Sequence, residues 1–269
     1  MQITQNLALI GGGNMGEALL AGILRAGLVA ADKIWVTDVR QERLEYLQQT
    51  YGVQVTPHNP QAVAQAEIII LAVKPQQLKP ILAQIRPVAQ QKLAISIAAG
   101  VKLETLHQFL GDDVHLVRVM PNLPAVVGAG ISALCPWKST TTMELQTAMG
   151  LFGCVGETVV VEEHLLDAVT GLSGSGPGFV MVIIESLADA GVKAGLPRDI
   201  SLKLAIQTLM GSAMLLKQKG LHPAQIKDMV TSPGGTTIAG IQVLECGGLR
   251  ATLMEAVEAA TLRAAELSK

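Results

Sequence analysis

A glycine-rich run near the N-terminus carries the clearest chemical signal in this sequence. It fits the pattern G-x-G-x-x-G and reads Gly11, Gly12, Gly13, Asn14, Met15 and Gly16. A buried-strand pattern at 7–10 precedes it and a helical pattern follows, which is the context that this motif requires. The first glycine permits a tight turn, the third lets the backbone approach a pyrophosphate, and the last lets helix and strand pack closely. The run therefore predicts a dinucleotide held at a helix N-terminus, with a ligand-free glycine turn as the alternative.

In such a fold, the residue at the end of the second strand contacts the ribose of the dinucleotide. Asp38 stands there, 22 residues beyond Gly16, and a carboxylate at this point favours NADH by accepting hydrogen bonds from the ribose. Arg40 and Arg43 follow, and either could pair with the 2′-phosphate of NADPH. The sequence therefore supports both cofactors, NADPH or NADH, and leaves the choice open.

Two further loops follow predicted strands on the side of the sheet where ligands bind. Their small residues would let the nicotinamide and its ribose lie on backbone. The predicted cofactor contacts are Ala72, Val73, Lys74 and Pro75 in the first loop, and Ala98, Ala99 and Gly100 in the second. Short turns without a ligand are the alternative.

A second glycine-rich segment, TSPGGTT at 231–237, lies between two predicted helices. Its glycines free backbone N–H groups, and a helix N-terminus with hydroxyls can bind a carboxylate. A plain turn with a threonine cap is the alternative. The loop LSGSGP at 172–177 is similar and also suits simple capping. No metal cluster or Ser/His/Asp set stands out, and hydride transfer needs mainly positioning and a cofactor.

The hydrophobic periodicity changes character along the chain. Strand and helix patterns alternate up to residue 162, which predicts βαβ units and a parallel sheet. Strands are predicted at 7–10, 33–37, 53–55, 67–73, 93–97 and 114–119, and helices at 14–27, 41–50, 78–85 and 103–110. Segments 129–134, 143–152 and 158–161 complete this domain. Beyond it only helices are predicted, at 165–172, 176–194, 199–219, 223–230, 236–246 and 248–269.

Composition narrows the class of protein. Hydrophobic residues make up 49% of the 269 residues, charged residues 16%, and the net charge is -2. Lys and Arg are scattered without a basic run, so nucleic acid is not an expected partner. The longest apolar run, 68–73, is far shorter than the roughly 20 residues of a membrane span, so no membrane association is expected. Three widely spaced cysteines suit free thiols in the cytoplasm, and the small-residue content favours close helix packing between subunits.

The chain resembles pyrroline-5-carboxylate reductase, the last enzyme of proline synthesis, over nearly its whole length. The shared motifs are IGGGNMG at 10–16, AVKP at 72–75, SIAAGV at 96–101, RVMPNLP at 118–124, GLSGSGP at 171–177 and DMVTSPGGTTIAGIQVLE at 228–245. The resemblance implies an α/β fold: an N-terminal Rossmann dinucleotide-binding domain, residues 1–162, followed by an all-α substrate and dimerisation domain, residues 163–269. It also implies a homodimer or a larger ring of dimers.

The resemblance also implies roles for individual residues. Ser232 and the backbone amides of Gly235, Thr236 and Thr237 would hold the substrate carboxylate, and Thr237 would hydrogen-bond the ring nitrogen as the catalytic residue. Asn59 would lie near the adenosine ribose.

The sequence departs from the family pattern at two places. The family usually has Ala-Tyr where this chain has Gly178-Phe179, and Thr where it has Leu123. The expected reaction is reduction of 1-pyrroline-5-carboxylate to L-proline with NAD(P)H. The rivals are a reductase of another imine or β-hydroxy acid, and a dinucleotide-binding regulatory protein without turnover.

Overall fold

The computed structural model describes residues 3–268. Within them, eight strands form one sheet in the order β3-β2-β1-β4-β5-β6-β7-β8. The first six strands run parallel, β7 is antiparallel to β6, and β8 is parallel to β7. The strands are β1 (Leu7–Ile10), β2 (Ile34–Thr37), β3 (Gln54–Thr56), β4 (Ile68–Leu71), β5 (Leu93–Ser96), β6 (His115–Met120), β7 (Gly130–Pro136) and β8 (Gly156–Val160). The predicted parallel α/β fold is confirmed, and the order 3-2-1-4-5-6 is that of a Rossmann sheet.

The sheet is covered on both faces, as its continuous apolar strands predict. Successive side chains of β1 alternate between two cores: Leu7 and Leu9 belong to one cluster of buried residues, Ala8 and Ile10 to the other. This is the two-residue period of a strand. All four residues are buried, so β1 has no face available for solvent.

Helices connect these strands. They are α1 (Asn14–Arg25), α2 (Gln41–Tyr51), α3 (Asn59–Ala64), α4 (Pro75–Ile85), α5 (Leu103–Leu110), α6 (Thr142–Gly153) and α7 (Leu166–Val169). Helices α3 and α4 differ from the sequence prediction. Helix α3 was not predicted, because six residues are too few to show a helical period. Helix α4 begins at Pro75 rather than at 78, because proline suits the first helical turn, where its missing N–H is not needed.

The chain divides into two compact units. The first contains the described residues up to Gly174 and those from Ala260 onwards, and the second is Ser175–Ala259. The segment predicted as a helix at 165–172 is α7 followed by a π-helical turn, Thr170–Gly174. The domain boundary predicted after residue 162 follows the last strand, whereas the first compact unit extends to Gly174. The predicted boundary stays a prediction.

The second unit is helical, as predicted. Its helices are α8 (Gly176–Lys193), α9 (Arg198–Lys219), α10 (Pro223–Met229), α11 (Thr236–Cys246) and the first part of α12 (Leu249–Leu267). Helices α8 and α9 pack closely: Ser201 Oγ donates a hydrogen bond to the Ala188 carbonyl at 2.6 Å. A Cβ at Gly191 would lie 2.0 Å from that hydroxyl oxygen, so a larger residue at this crossing would displace the Ser201 side chain from Ala188.

Large apolar side chains of α8 and α9 are exposed, among them Val182 at 62% and Leu204 at 51%. Two helical segments, Glu163–Lys193 and Arg198–Lys219, are long and apolar enough to cross a membrane by length and composition, although little of either is buried. Isolated charged residues interrupt these helices, so neither forms an uninterrupted apolar run in the sequence. The expectation of no membrane association therefore stays a prediction.

Candidate active site

The glycine run forms a tight connection between β1 and α1. Gly11 has a φ of +105°, and a Cβ there would lie 2.5 Å from the Ala72 carbonyl oxygen. A Cβ at Gly16 would lie 2.2 Å from the Gly11 carbonyl oxygen, so α1 packs against the turn that precedes it. Both positions have space only for glycine.

Gly13 differs from these two glycines because it is open. A Cβ at this position would meet no atom within 4 Å. Gly13 is the N-cap of α1, and its side-chain position offers no group to cap the first N–H groups of the helix. An open backbone beside an uncapped helix N-terminus is a cradle for a diphosphate. The residues present therefore fit the pyrophosphate of a dinucleotide, with Asn14 and Met15 in the first turn of α1.

The other predicted cofactor loops lie beside this turn. Backbone hydrogen bonds join Gly11 N to the Thr37 carbonyl at 2.9 Å and Ala72 N to the Ile10 carbonyl at 2.8 Å. Thr37 Oγ1 donates to Asn59 Oδ1 at 2.7 Å, which brings Asn59 to the end of β2. The carboxyl ends of β1, β2 and β4 are thereby joined at the point where strand order reverses, the usual ligand site of such a sheet.

The remaining residues of these loops have different surroundings. Lys74 is the N-cap of α4 and is exposed, as is Ala99, whereas Ala98 is buried and donates its N–H to Ser96 Oγ at 3.3 Å. Gly100 has a φ of +76°, and a Cβ there would lie 3.1 Å from the Leu267 carbonyl oxygen. Gly100 thus contacts the end of α12, a neighbour that its motif did not indicate.

Asp38 is fixed beside the glycine turn. Its Oδ2 accepts a hydrogen bond from Gly12 N at 3.2 Å, and its Oδ1 accepts from the backbone N and Nε of Arg40 at 3.0 and 3.1 Å. Burial by itself raises the pKa of this carboxyl, but the hydrogen bonds and charge of Arg40 outweigh it and lower the pKa. The side chain is therefore an ionised acceptor beside the glycine turn.

Sequence reasoning missed a polar cluster behind Asp38. Arg43 donates from Nε to the Gly12 carbonyl at 2.6 Å and pairs through Nη2 with Glu17. The hydroxyls of Tyr51 and Tyr46 donate to Glu17 Oε1 at 2.9 and 3.1 Å. The only local signal was an acidic residue directly after the last glycine of the motif, and its partners lie 26 to 34 residues away in the chain.

The second glycine-rich loop is a turn that begins α11. Gly234 has a φ of +66°, and Gly235 N donates to the Ser232 carbonyl at 3.0 Å. A Cβ at Gly235 would lie 2.3 Å from Ser232 Oγ. The N-cap of α11 is Gly235, with no side-chain hydrogen bond, so the alternative of a threonine cap is wrong. The Thr236 and Thr237 hydroxyls are thus not used to cap the helix.

The loop at 172–177 likewise lacks a side-chain cap. Ser175 is the N-cap of α8 without a side-chain hydrogen bond, while Pro177 occupies the first helical turn. Between residues 3 and 268 no group of three or more His, Cys, Asp or Glu residues could hold a metal ion. Burial raises the pKa of the Cys135 and Cys154 thiols to about 11, so neither is an activated nucleophile.

A Rossmann sheet with an open glycine turn at a helix N-terminus defines the class of this chain as a dinucleotide-binding protein of the kind that transfers hydride with NAD(P)H. Residues 6–100 match the family described as NADP oxidoreductase coenzyme F420-dependent, and residues 163–267 match pyrroline-5-carboxylate reductase dimerisation. A pyrroline-5-carboxylate reductase of Synechocystis is 49% identical over 263 residues, covering 98% of each chain. The chain belongs to the pyrroline-5-carboxylate reductase family, which confirms the resemblance.

Solved structures agree with this assignment. A pyrroline-5-carboxylate reductase from Coxiella burnetii has a TM-score of 0.96 at 34% identity, covering 99% of this chain and 100% of that one. Plasmodium falciparum pyrroline carboxylate reductase, solved with NADP bound, has a TM-score of 0.89 at 32% identity and covers all of both chains. The expected Rossmann domain, helical C-terminal region and NAD(P)H cofactor are confirmed, and the dimerisation match indicates that the helical region takes part in oligomerisation.

Proposed function

We propose that this protein reduces 1-pyrroline-5-carboxylate to L-proline with a hydride from NADPH or NADH. The observation that carries the proposal is the full-length membership in the pyrroline-5-carboxylate reductase family. In this reaction the C=N carbon gains the hydride, the nitrogen carries a proton, and the carboxylate is unchanged. The protein must therefore hold a carboxylate and orient a cyclic imine beside a nicotinamide.

The first of these tasks is cofactor binding. The open backbone at Gly13 and the N-terminus of α1 would hold the pyrophosphate, with Asp38 and Asn59 at the ribose. Ala72–Pro75 and Ala98–Gly100 would line the nicotinamide side. When bound, the nicotinamide supplies the hydride, and the small residues of these loops let it lie on backbone.

The second task is to bind the substrate carboxylate. The turn before α11 presents an uncapped helix N-terminus, where N–H groups and the helix dipole favour an anion. Ser232 and the amides of Gly235, Thr236 and Thr237 are the proposed contacts. The Thr237 hydroxyl would orient the ring nitrogen or hold its proton, because hydride addition to the carbon requires the nitrogen to be protonated.

Absorbance at 340 nm tests the reaction directly. Purified protein is mixed with 1-pyrroline-5-carboxylate and either NADPH or NADH, and proline is identified in the product. Rapid oxidation with proline formation supports the proposal. Cofactor binding without oxidation of either cofactor would contradict it and favour a reductase for another imine or carbonyl acid.

We also propose that residues 163–269 form the substrate and dimerisation domain of a cytoplasmic homodimer, or of a ring of dimers, which binds neither membrane nor nucleic acid. The support is the dimerisation match and the exposed apolar side chains of α8 and α9, which a second copy would cover. Sedimentation without detergent should give a dimer or a multiple of it. A monomer, or co-sedimentation with phospholipid vesicles, would contradict this.

A further inference from the structure

The charged groups at the ribose end of the cofactor site are arranged in two pairs. Asp38 pairs with Arg40 at 3.1 Å, and Glu17 pairs with Arg43. Glu17 lies on α1 and Arg43 lies on α2. Asp38 and Arg40 lie in the connection between β2 and α2. Each of the two arginines that could attract a 2′-phosphate already faces a carboxylate, and the four formal charges sum to zero.

The two arginines are not equally free to leave their carboxylates. Arg40 is exposed, with 64% of its side chain accessible, so its ion pair contributes little restraint. Arg43 has only 18% of its side chain accessible. It is held by the Gly12 carbonyl and Glu17, and its guanidinium carbon lies 5.0 Å from the centre of the Tyr46 ring.

Glu17 is held as firmly as Arg43. Two tyrosine hydroxyls and the guanidinium donate to its carboxylate, and 23% of the side chain is accessible. Rotating Arg43 towards a ligand would leave this carboxylate without its cation and the Gly12 carbonyl without a donor. Partly buried groups resist such a loss, so Glu17 keeps Arg43 directed at the glycine turn.

We propose that this site prefers NADH to NADPH, with Asp38 as the residue that accepts from the ribose hydroxyls and Glu17 as a positioning residue that withholds Arg43 from a 2′-phosphate. The inference rests on the proposed function only in assuming a nicotinamide dinucleotide at this turn. A phosphate monoester brings nearly two negative charges. It would meet the Asp38 carboxylate, whose charge the exposed Arg40 offsets but does not exceed, whereas ribose hydroxyls would meet an ionised acceptor.

The test measures the dissociation constants of NADH and NADPH in the absence of substrate, with the fluorescence of the reduced cofactor as the signal. The unmodified protein should bind NADH at least ~10-fold more tightly, the size of effect that one charge-assisted hydrogen bond produces. Asp38→Ser should reduce that ratio by weakening NADH and strengthening NADPH. Glu17→Gln should strengthen NADPH about 5-fold and leave NADH unchanged, and high salt should abolish the gain because it is electrostatic.

Two further variants separate positioning from a structural role. Glu17→Gln combined with Arg43→Gln should lose the gain in NADPH affinity, because the released cation is gone. Glu45→Gln removes the same charge from the exposed surface of α2, where Glu45 contacts Gln41, and should alter neither affinity. Retained NADH binding shows in each variant that the site has folded.

Three results would overturn the inference: tighter binding of NADPH by the unmodified protein, an equal effect of Glu17→Gln on both cofactors, or a gain in NADPH affinity that survives loss of Arg43. Because no substrate is present, these outcomes are independent of the proposed reaction. Absence of proline formation with an intact NADH preference would count against the reaction alone.

Discussion

Gly16 lies directly against the carbonyl of Gly11, so that a Cβ at Gly16 would stand 2.2 Å from the Gly11 oxygen. Gly13, between them, has no neighbour in its Cβ direction within 4 Å. One motif therefore contains a glycine required by the fold of the protein chain and a glycine whose open space is available to a ligand.

Alanine substitutions should separate these two roles. Gly16→Ala should lower the free energy of unfolding by about 2 kcal/mol, because the clash with backbone exceeds the gain in helix propensity. Gly13→Ala should leave stability within about 0.5 kcal/mol but weaken NAD(P)H binding at least ~10-fold, because its methyl group would meet the pyrophosphate. Urea denaturation and cofactor titration measure both; a destabilised Gly13→Ala with normal binding would contradict this.

Thr237 should affect turnover rather than cofactor binding. Thr237→Ala removes a hydroxyl proposed to contact the ring nitrogen, and kcat should fall about 10- to 100-fold, the cost of one hydrogen bond to a charged group. Thr237→Ser keeps the hydroxyl and should restore most of the activity. The dissociation constant of NADH, measured in the same preparations, should not change. Unaltered kcat in Thr237→Ala would rule out the catalytic role.

A partly buried ion pair joins β6 to the segment before α7. Arg118 Nη1 donates to Glu163 Oε1 at 3.0 Å, the same oxygen accepts from Leu103 N at 2.7 Å, and only 7% of the Arg118 side chain is accessible. Glu163→Ala leaves a guanidinium buried without its partner and should cost about 3 kcal/mol of stability.

Two comparisons test that explanation by thermal and urea unfolding. Arg118→Met combined with Glu163→Ala should cost less than Glu163→Ala alone, because no unpaired charge remains. The exposed pair of Arg198 and Asp189, 58% and 62% accessible, is the control: Asp189→Ala should change stability by less than about 1 kcal/mol. A double variant at least as unstable as Glu163→Ala would argue against a charge effect.

The Glu17 cluster should give acid-dependent stability. Burial alone raises the pKa of Glu17, but hydrogen bonds from Arg43, Tyr51 and Tyr46 outweigh it, so the folded-state pKa lies below the ordinary value of 4.5. The stabilisation is then fully present above pH 4.5 and is lost as pH falls through the lowered pKa. Glu17→Gln should be about 1 kcal/mol less stable at neutral pH, and the difference should close in acid. A constant difference across this pH range would contradict the assignment.

Much of the fold was predictable because its signals are local. The apolar runs of β1 and β4, the helical period after Asn14 and the glycine spacing depend on neighbouring residues, and they were sufficient for the parallel sheet and the dinucleotide turn. Periodicity did not place the start of two helices: α3 has only six residues, and α4 begins at a proline.

The site divides in the same way. Sequence alone determined the class of chemistry, because the glycine motif requires particular backbone conformations and the TSPGGTT loop is part of the family resemblance. The sequence placed Asp38, Arg40 and Arg43 close together but left open whether the carboxylate or the arginines determine the cofactor. Repulsion and attraction of a 2′-phosphate depend on distances that the sequence does not give. Only the tertiary structure showed that Arg43 is bound to Glu17, 26 residues away in the chain. The packing of α2 beside α1 decides which charges face each other, and no local pattern encodes that contact.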